Sequence, residues 1–120
     1  MVAGSLNLII EKGAVFYKRI KWLAPNRSLV SFHAYKSDLY IRNSRGELTI
    51  HLSTDNGRLE IEDEEELDGK FLRIKLSAIE TEAIDFDGGN YTLVVTPLDE
   101  LGEPATLLAR RLLEGVVIIK

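Results

Sequence analysis

The chain reads as an antiparallel β-sandwich. Apolar residues recur at every second position rather than with the helical period of about 3.6. The alternating pieces are strand-length, and turn residues punctuate them at regular spacing. Hydrophobic residues make up 45% and charged residues 28% of the 120 residues, which suits one domain over 1–120 with one modest core.

"LNLIIEK" (6–12) is the first strand, ended by Gly13. "AVFYKRIKWL" (14–23) is the second. Phe16, Ile20 and Trp22 share one face with Lys18, whose ammonium can snorkel to water at an edge. Tyr17, Arg19 and Lys21 share the other face. "APNRS" (24–28) is turn chemistry, because Pro25 presets φ and Asn26 and Ser28 can bond their own backbone. Two β-rich pieces follow, 29–33 and 34–42, and then "NSRG" (43–46) as a hairpin loop. "ELTIHLS" (47–53) turns Leu48, Ile50 and Leu52 one way and Glu47, Thr49, His51 and Ser53 the other. "TDNG" (54–57) is the strongest hairpin signal, since Asn-Gly tolerates positive φ. "RLEIE" (58–62) is its return strand, with Leu59 and Ile61 inward.

"KFLRIKLS" (70–77) puts Leu72, Ile74 and Leu76 on one face and Phe71, Arg73 and Lys75 on the other. Ser77 then caps a short helical turn, with Glu80 three residues on to complete a capping box. "DGGN" (87–90) ends that turn, and "YTLVVT" (91–96) is a core strand. After the loop "PLDELGEP" (97–104), residues 105–120 form a long strand with a bulge near Gly115. A helix over 107–113 is the alternative there. The sum is about eight short strands and one helical turn. It predicts an all-β, antiparallel, immunoglobulin-like sandwich with Greek-key connections.

The chemistry-bearing patterns are few. Cysteine is absent, which excludes disulfides, thiolate metal sites and thiol nucleophiles. A net charge of -4 disfavours nucleic acid as a partner. The opening residues lack a signal-peptide pattern and no apolar run has membrane length, so the expectation is no membrane contact and synthesis in the cytoplasm. Six carboxylates crowd residues 62–68. They miss the spacing of a calcium loop in either register and read as a solvated loop guarding a strand edge. His33 and His51 have no metal-ligand spacing, and no nucleophile elbow is present. "YKRIKW" (17–22) mixes cations with aromatics, yet alternation divides it between a core face and a charged face. No phosphate-binding glycine motif occurs. These readings predict no catalytic residue, no cofactor and no metal.

Arg110 and Arg111 stand together in an apolar run, where a strand points them to opposite faces. An arginine there is a mark of protein contact. Arg110, Arg111, Val117 and Ile119 in the last strand, with Tyr17 and Arg19, are the candidate partner-interface residues.

The order of the pieces resembles a group of small all-β proteins encoded among the tail and baseplate genes of tailed bacteriophages. The resemblance runs through "LNLIIEKGAVFYKRIKW", "FHAYKSDLYIR", "GELTIHLSTDNGRLEIE" and "GKFLRIKLSAIETEAI", then "GGNYTLVVT" and "LLEGVVIIK". It implies a non-enzymatic virion protein, present in multiple copies, that connects tail, baseplate or tail-fibre subunits. A carbohydrate- or receptor-binding module is the alternative. It would use Tyr40, Tyr91 and the acidic run.

Overall fold

The computed structural model describes residues 4–62 and 69–120. The chain runs β1 (Gly4–Ser5), β2 (Leu8–Ile10), β3 (Phe16–Lys21), β4 (Tyr35–Asn43), β5 (Leu48–Ser53), β6 (Leu59–Glu62), β7 (Phe71–Leu76), α1 (Ala78–Glu82), β8 (Gly88–Pro97) and β9 (Arg110–Ile119). Among the described residues these strands make two sheets. One has the order β9-β8-β4-β5, with β1 and β2 both on the free side of β9; the other is β3-β7-β6. β1 and β2 run parallel to β9, while the other pairings are antiparallel.

Side-chain alternation fixes which faces meet. Leu39 and Ile41 of β4, Tyr91, Leu93 and Val95 of β8, and Leu72, Ile74 and Leu76 of β7 pack in one buried cluster with Leu8, Ile10 and Ile20. β3 and β7 follow the sequence-derived alternation, with Leu72, Ile74 and Leu76 inward and Tyr17, Arg19, Phe71, Arg73 and Lys75 on the outer face. Trp22 closes one end of the sandwich and meets the Tyr35 ring edge-on at 5.0 Å. The Tyr91 hydroxyl donates to the Leu6 carbonyl and ties the N-terminal segment to the central strand. Burial pushes that phenol up to about 12.

The capping box is present in full. Ser77 Oγ accepts from the Glu80 N–H at 3.1 Å, and Glu80 accepts from the Ser77 N–H at 3.1 Å. Thr81 pins the same turn to the β2–β3 connection, donating to the Ala14 carbonyl at 2.8 Å. Ser77→Ala should therefore cost about 1 kcal/mol. A shift of the urea midpoint at constant m-value measures it, and an unchanged midpoint would deny the cap any energetic role.

Several expectations give way. The last strand begins at Arg110 rather than 105, and Thr106–Leu108 is a 3₁₀ turn. A register shift at Ile41 and Arg42 puts Leu48 out of step with Ile50 and Leu52, and it is 49% exposed. Residues 54–57 do not close a hairpin: β5 pairs with β4 and β6 with β7, so this turn carries the chain from one sheet to the other. Asn56 organises the crossing by accepting from the N–H groups of Ser53 and Arg58, both at 3.0 Å, and only Gly57 has positive φ. The piece 29–33 is not a strand; Leu29 makes a single bridge to Leu23, and Phe32–Ala34 is a 3₁₀ turn capped by Ser31. Gly88 and Gly89 do not end the helical turn but open β8. A Cβ on Gly89 would overlap the backbone of Arg42 and Asn43 in β4. The bulge in β9 is also displaced. The register slips where Leu93 faces Leu113 and Val94 faces Arg111, which leaves Leu112 as the extra residue, while Gly115 pairs regularly with Tyr91.

Candidate interaction surfaces

β9 lies between β8 and the β1–β2 segment, so its edges are occupied over most of its length. Partners can reach it mainly through its outer face. That excludes Val117, which is 1% exposed and belongs to the core. Ile119 also turns inward and packs against the core from a half-buried position. Both leave the set of interface candidates. The bulge at Leu112 fixes this parity, and in the uniformly apolar run "GVVII" no sequence signal could reveal it.

The apolar side chains that β9 does present are Val116 and Ile118, 44% and 39% exposed. Ile9 of β2 stands in register beside Ile118 and is 50% exposed. On the other side of Ile118 is Gly88, so no side chain covers it there. The three form a contiguous β-branched patch on the outer face of a hydrogen-bonded sheet. The arginines divide as expected. Arg110 reaches over the Trp22 ring at 5.5 Å, and Arg111 turns outward to Glu114 at 3.5 Å.

Tyr17 and Arg19 meet on the outer face of the small sheet, around a carboxylate that the acid-rich composition had hidden. Glu62 has a side chain only 4% exposed. It accepts from the Tyr17 hydroxyl at 2.9 Å and from Arg73 Nε at 3.1 Å, and it pairs with Arg19 Nη2 at 2.8 Å. The Arg19 guanidinium lies 4.3 Å over the Phe71 ring, and Arg73 lies 5.7 Å over Tyr17. Burial works against the charge, but the donors from Tyr17, Arg73 and Arg19 outweigh it and hold the carboxyl below its usual 4.5. Three strands are locked together by this layer. The rest of the acidic run, residues 63–68, lies outside the described residues.

His51 has an acidic partner that sequence spacing could not show, because it sits diagonally on the neighbouring strand. Its Nε2 is 2.8 Å from Asp38 Oδ1, and Tyr40 stacks on its ring at 4.7 Å. Lys36 joins Asp38 at 3.8 Å and Asp55 at 3.2 Å. Among the described residues the His51 imidazole meets the Asp38 carboxylate, and no hydroxyl is shown bonded to it, so His51 is not set in a Ser-His-Asp relay. No group of three or more metal-binding side chains is gathered among the described residues. Tyr91, a candidate for a sugar platform, is 1% exposed and unavailable to a ligand.

Topology and comparison then agree. β9-β8-β4-β5 against β3-β7-β6 is the strand order of an immunoglobulin-like sandwich with one strand, β5, added beside β4. A solved structure from photo-crosslinking analyses of multimeric cell-adhesive interactions of VGSC beta subunits covers 100% of this chain and 95% of its own, with a TM-score of 0.53 and 14% identity. The chain is an immunoglobulin-like β-sandwich. The Tyr91 hydroxyl reaches the N-terminal segment and fastens it beside β9. No protein-family model matches the chain, and no curated protein matches it. No helix among the described residues is long and apolar enough to cross a membrane.

Proposed function

We propose that this chain is a non-enzymatic structural module of a tailed-phage virion. It docks neighbouring tail, baseplate or fibre subunits through the outer face of β2 and β9. The contiguous exposed patch of Ile9, Val116 and Ile118 carries the reading. Single exposed apolar residues are ordinary, whereas adjacent ones rimmed by charge suit a contact surface. Arg111 and Glu114 supply that rim. The phage setting rests on the order of the sequence pieces described above. The similar solved structure concerns multimeric cell-adhesive interactions, a use of the same fold that fits a docking role.

Arginine at Val116 or Ile118 should leave the melting temperature within a few degrees, because both side chains face solvent. Incorporation of the variants into assembled particles should fall about tenfold or more, as expected for a charge buried in an apolar contact. Wild-type incorporation of both variants would sink the proposal. Point substitution is the cleaner test than truncation before Gly115, which would remove Val117 from the core as well as the patch.

A further inference from the structure

Asn56 and Gly57 sit in the turn that crosses from β5 to β6, and both are exposed. An asparagine followed by glycine can react with itself, because no side chain shields the glycine nitrogen from the asparagine amide. Three features of this turn serve that attack. The Gly57 N–H makes no hydrogen bond among the described residues, and nothing lies within 4 Å of where a Cβ would stand. Water can therefore take its proton. Asn56 Oδ1 accepts from the N–H groups of Ser53 and Arg58, both at 3.0 Å. These two donors draw electrons from Cγ and would stabilise the negative charge that develops on Oδ1 during attack. Asn56 Nδ2, the leaving nitrogen, donates to the His51 carbonyl at 3.2 Å.

We propose that Asn56 is a site of self-modification, which closes on the Gly57 nitrogen to a succinimide that water opens to aspartate and isoaspartate. The Gly57 nitrogen gives its proton to water and bonds to Asn56 Cγ. The Cγ–Nδ2 bond breaks, and Nδ2 takes up a proton and leaves as ammonia. Water adding at Cγ then gives aspartate, and water adding at the Asn56 backbone carbonyl gives isoaspartate. Asn43 is the comparison within the molecule. Its Oδ1 also accepts from two backbone N–H groups, those of Arg45 and Glu47, at 3.0 Å. The residue after it is Ser44, whose side chain crowds the attacking nitrogen. Asn7, Asn26 and Asn90 precede the bulkier Leu8, Arg27 and Tyr91. Glycine therefore selects Asn56. The product alters the crossing, because a carboxylate cannot donate to the His51 carbonyl and isoaspartate carries the main chain through Cβ. β5 lies across the large sheet from β9, so this reading does not depend on the docking role.

The test holds the full folded chain at mildly alkaline pH and follows it by peptide mapping with mass spectrometry. A guanidinium-unfolded sample runs beside it to show that the conditions support the chemistry. Succinimide and isoaspartate should accumulate at Asn56 in the folded chain, ahead of Asn43 and the other asparagines. Gly57→Ala should slow the reaction about tenfold or more by adding to its barrier. The urea transition of that variant checks that it is folded. An Asn56 that stays intact in the folded chain, earlier modification of Asn43, aspartate without isoaspartate, or an unchanged rate in folded Gly57→Ala would each overturn the proposal. Peptide mapping reads the crossing turn and particle incorporation reads the β9 face, so the two readings fail separately.

Discussion

Gly89→Ala should cost about 3 kcal/mol of stability, near the upper end of overpacking penalties. β8 lies between β4 and β9, and Gly89 faces Asn43 on one side and Val117 on the other. The nearest atoms to an added methyl would be the Arg42 carbonyl and the Asn43 backbone, which no side-chain rotation can move. Relief requires β4 and β8 to separate, and that breaks the ladder on which the large sheet depends. Gly57→Ala is the control. Gly57 has φ +75° and open space around it, so alanine there costs only the left-handed backbone, about 1 kcal/mol. Urea unfolding of both variants compares the two. Equal losses would show that close approach is not why Gly89 is glycine.

Glu62→Ala should cost about 2 kcal/mol near neutral pH. Its arginine partners are partly open to water and can be resolvated, which keeps the loss below that of a fully enclosed pair. The pH dependence gives a second readout. The folded carboxyl titrates below its ordinary 4.5, so its stabilisation is complete above 4.5 and disappears as pH falls through the lower folded value. Glu62→Gln should remove that component of acid destabilisation while retaining most of the shape. A variant that loses stability below pH 4.5 as steeply as wild type would assign the effect to other carboxylates.

Local rules were legible in the sequence wherever one face is apolar and the other charged. The faces of β3 and β7 follow directly from "FYKRIK" and "FLRIKL", and the capping box follows from Ser77 and Glu80. Pairing partners were not legible. In sequence "ELTIHLS" and "RLEIE" alternate equally well, and nothing in "TDNG" says whether the chain doubles back or crosses to the other sheet. Gly88 and Gly89 have the composition of a turn, and only the strands on both sides of β8 make them necessary. Glu62 belongs by composition to an acidic loop, yet by register it faces Phe71, within reach of two arginines. Its role is set by residues more than ten positions away, beyond the reach of any local pattern.

The parallel ladder of Leu8, Ile9 and Ile10 on Val117, Ile118 and Ile119 places a constraint on synthesis. Among the described strands, β2 is one of the earliest made and β9 the last, and each is the other's neighbour. A nascent chain that stops before β9 holds Leu8 and Ile10 without their partner strand and leaves one side of β8 open. Long-range closure of this kind is slow, and exposed strand edges during the wait invite wrong pairing. Stalled or clipped products of this chain should therefore be cleared or aggregate, and the sandwich should form only after its final strand has left the ribosome.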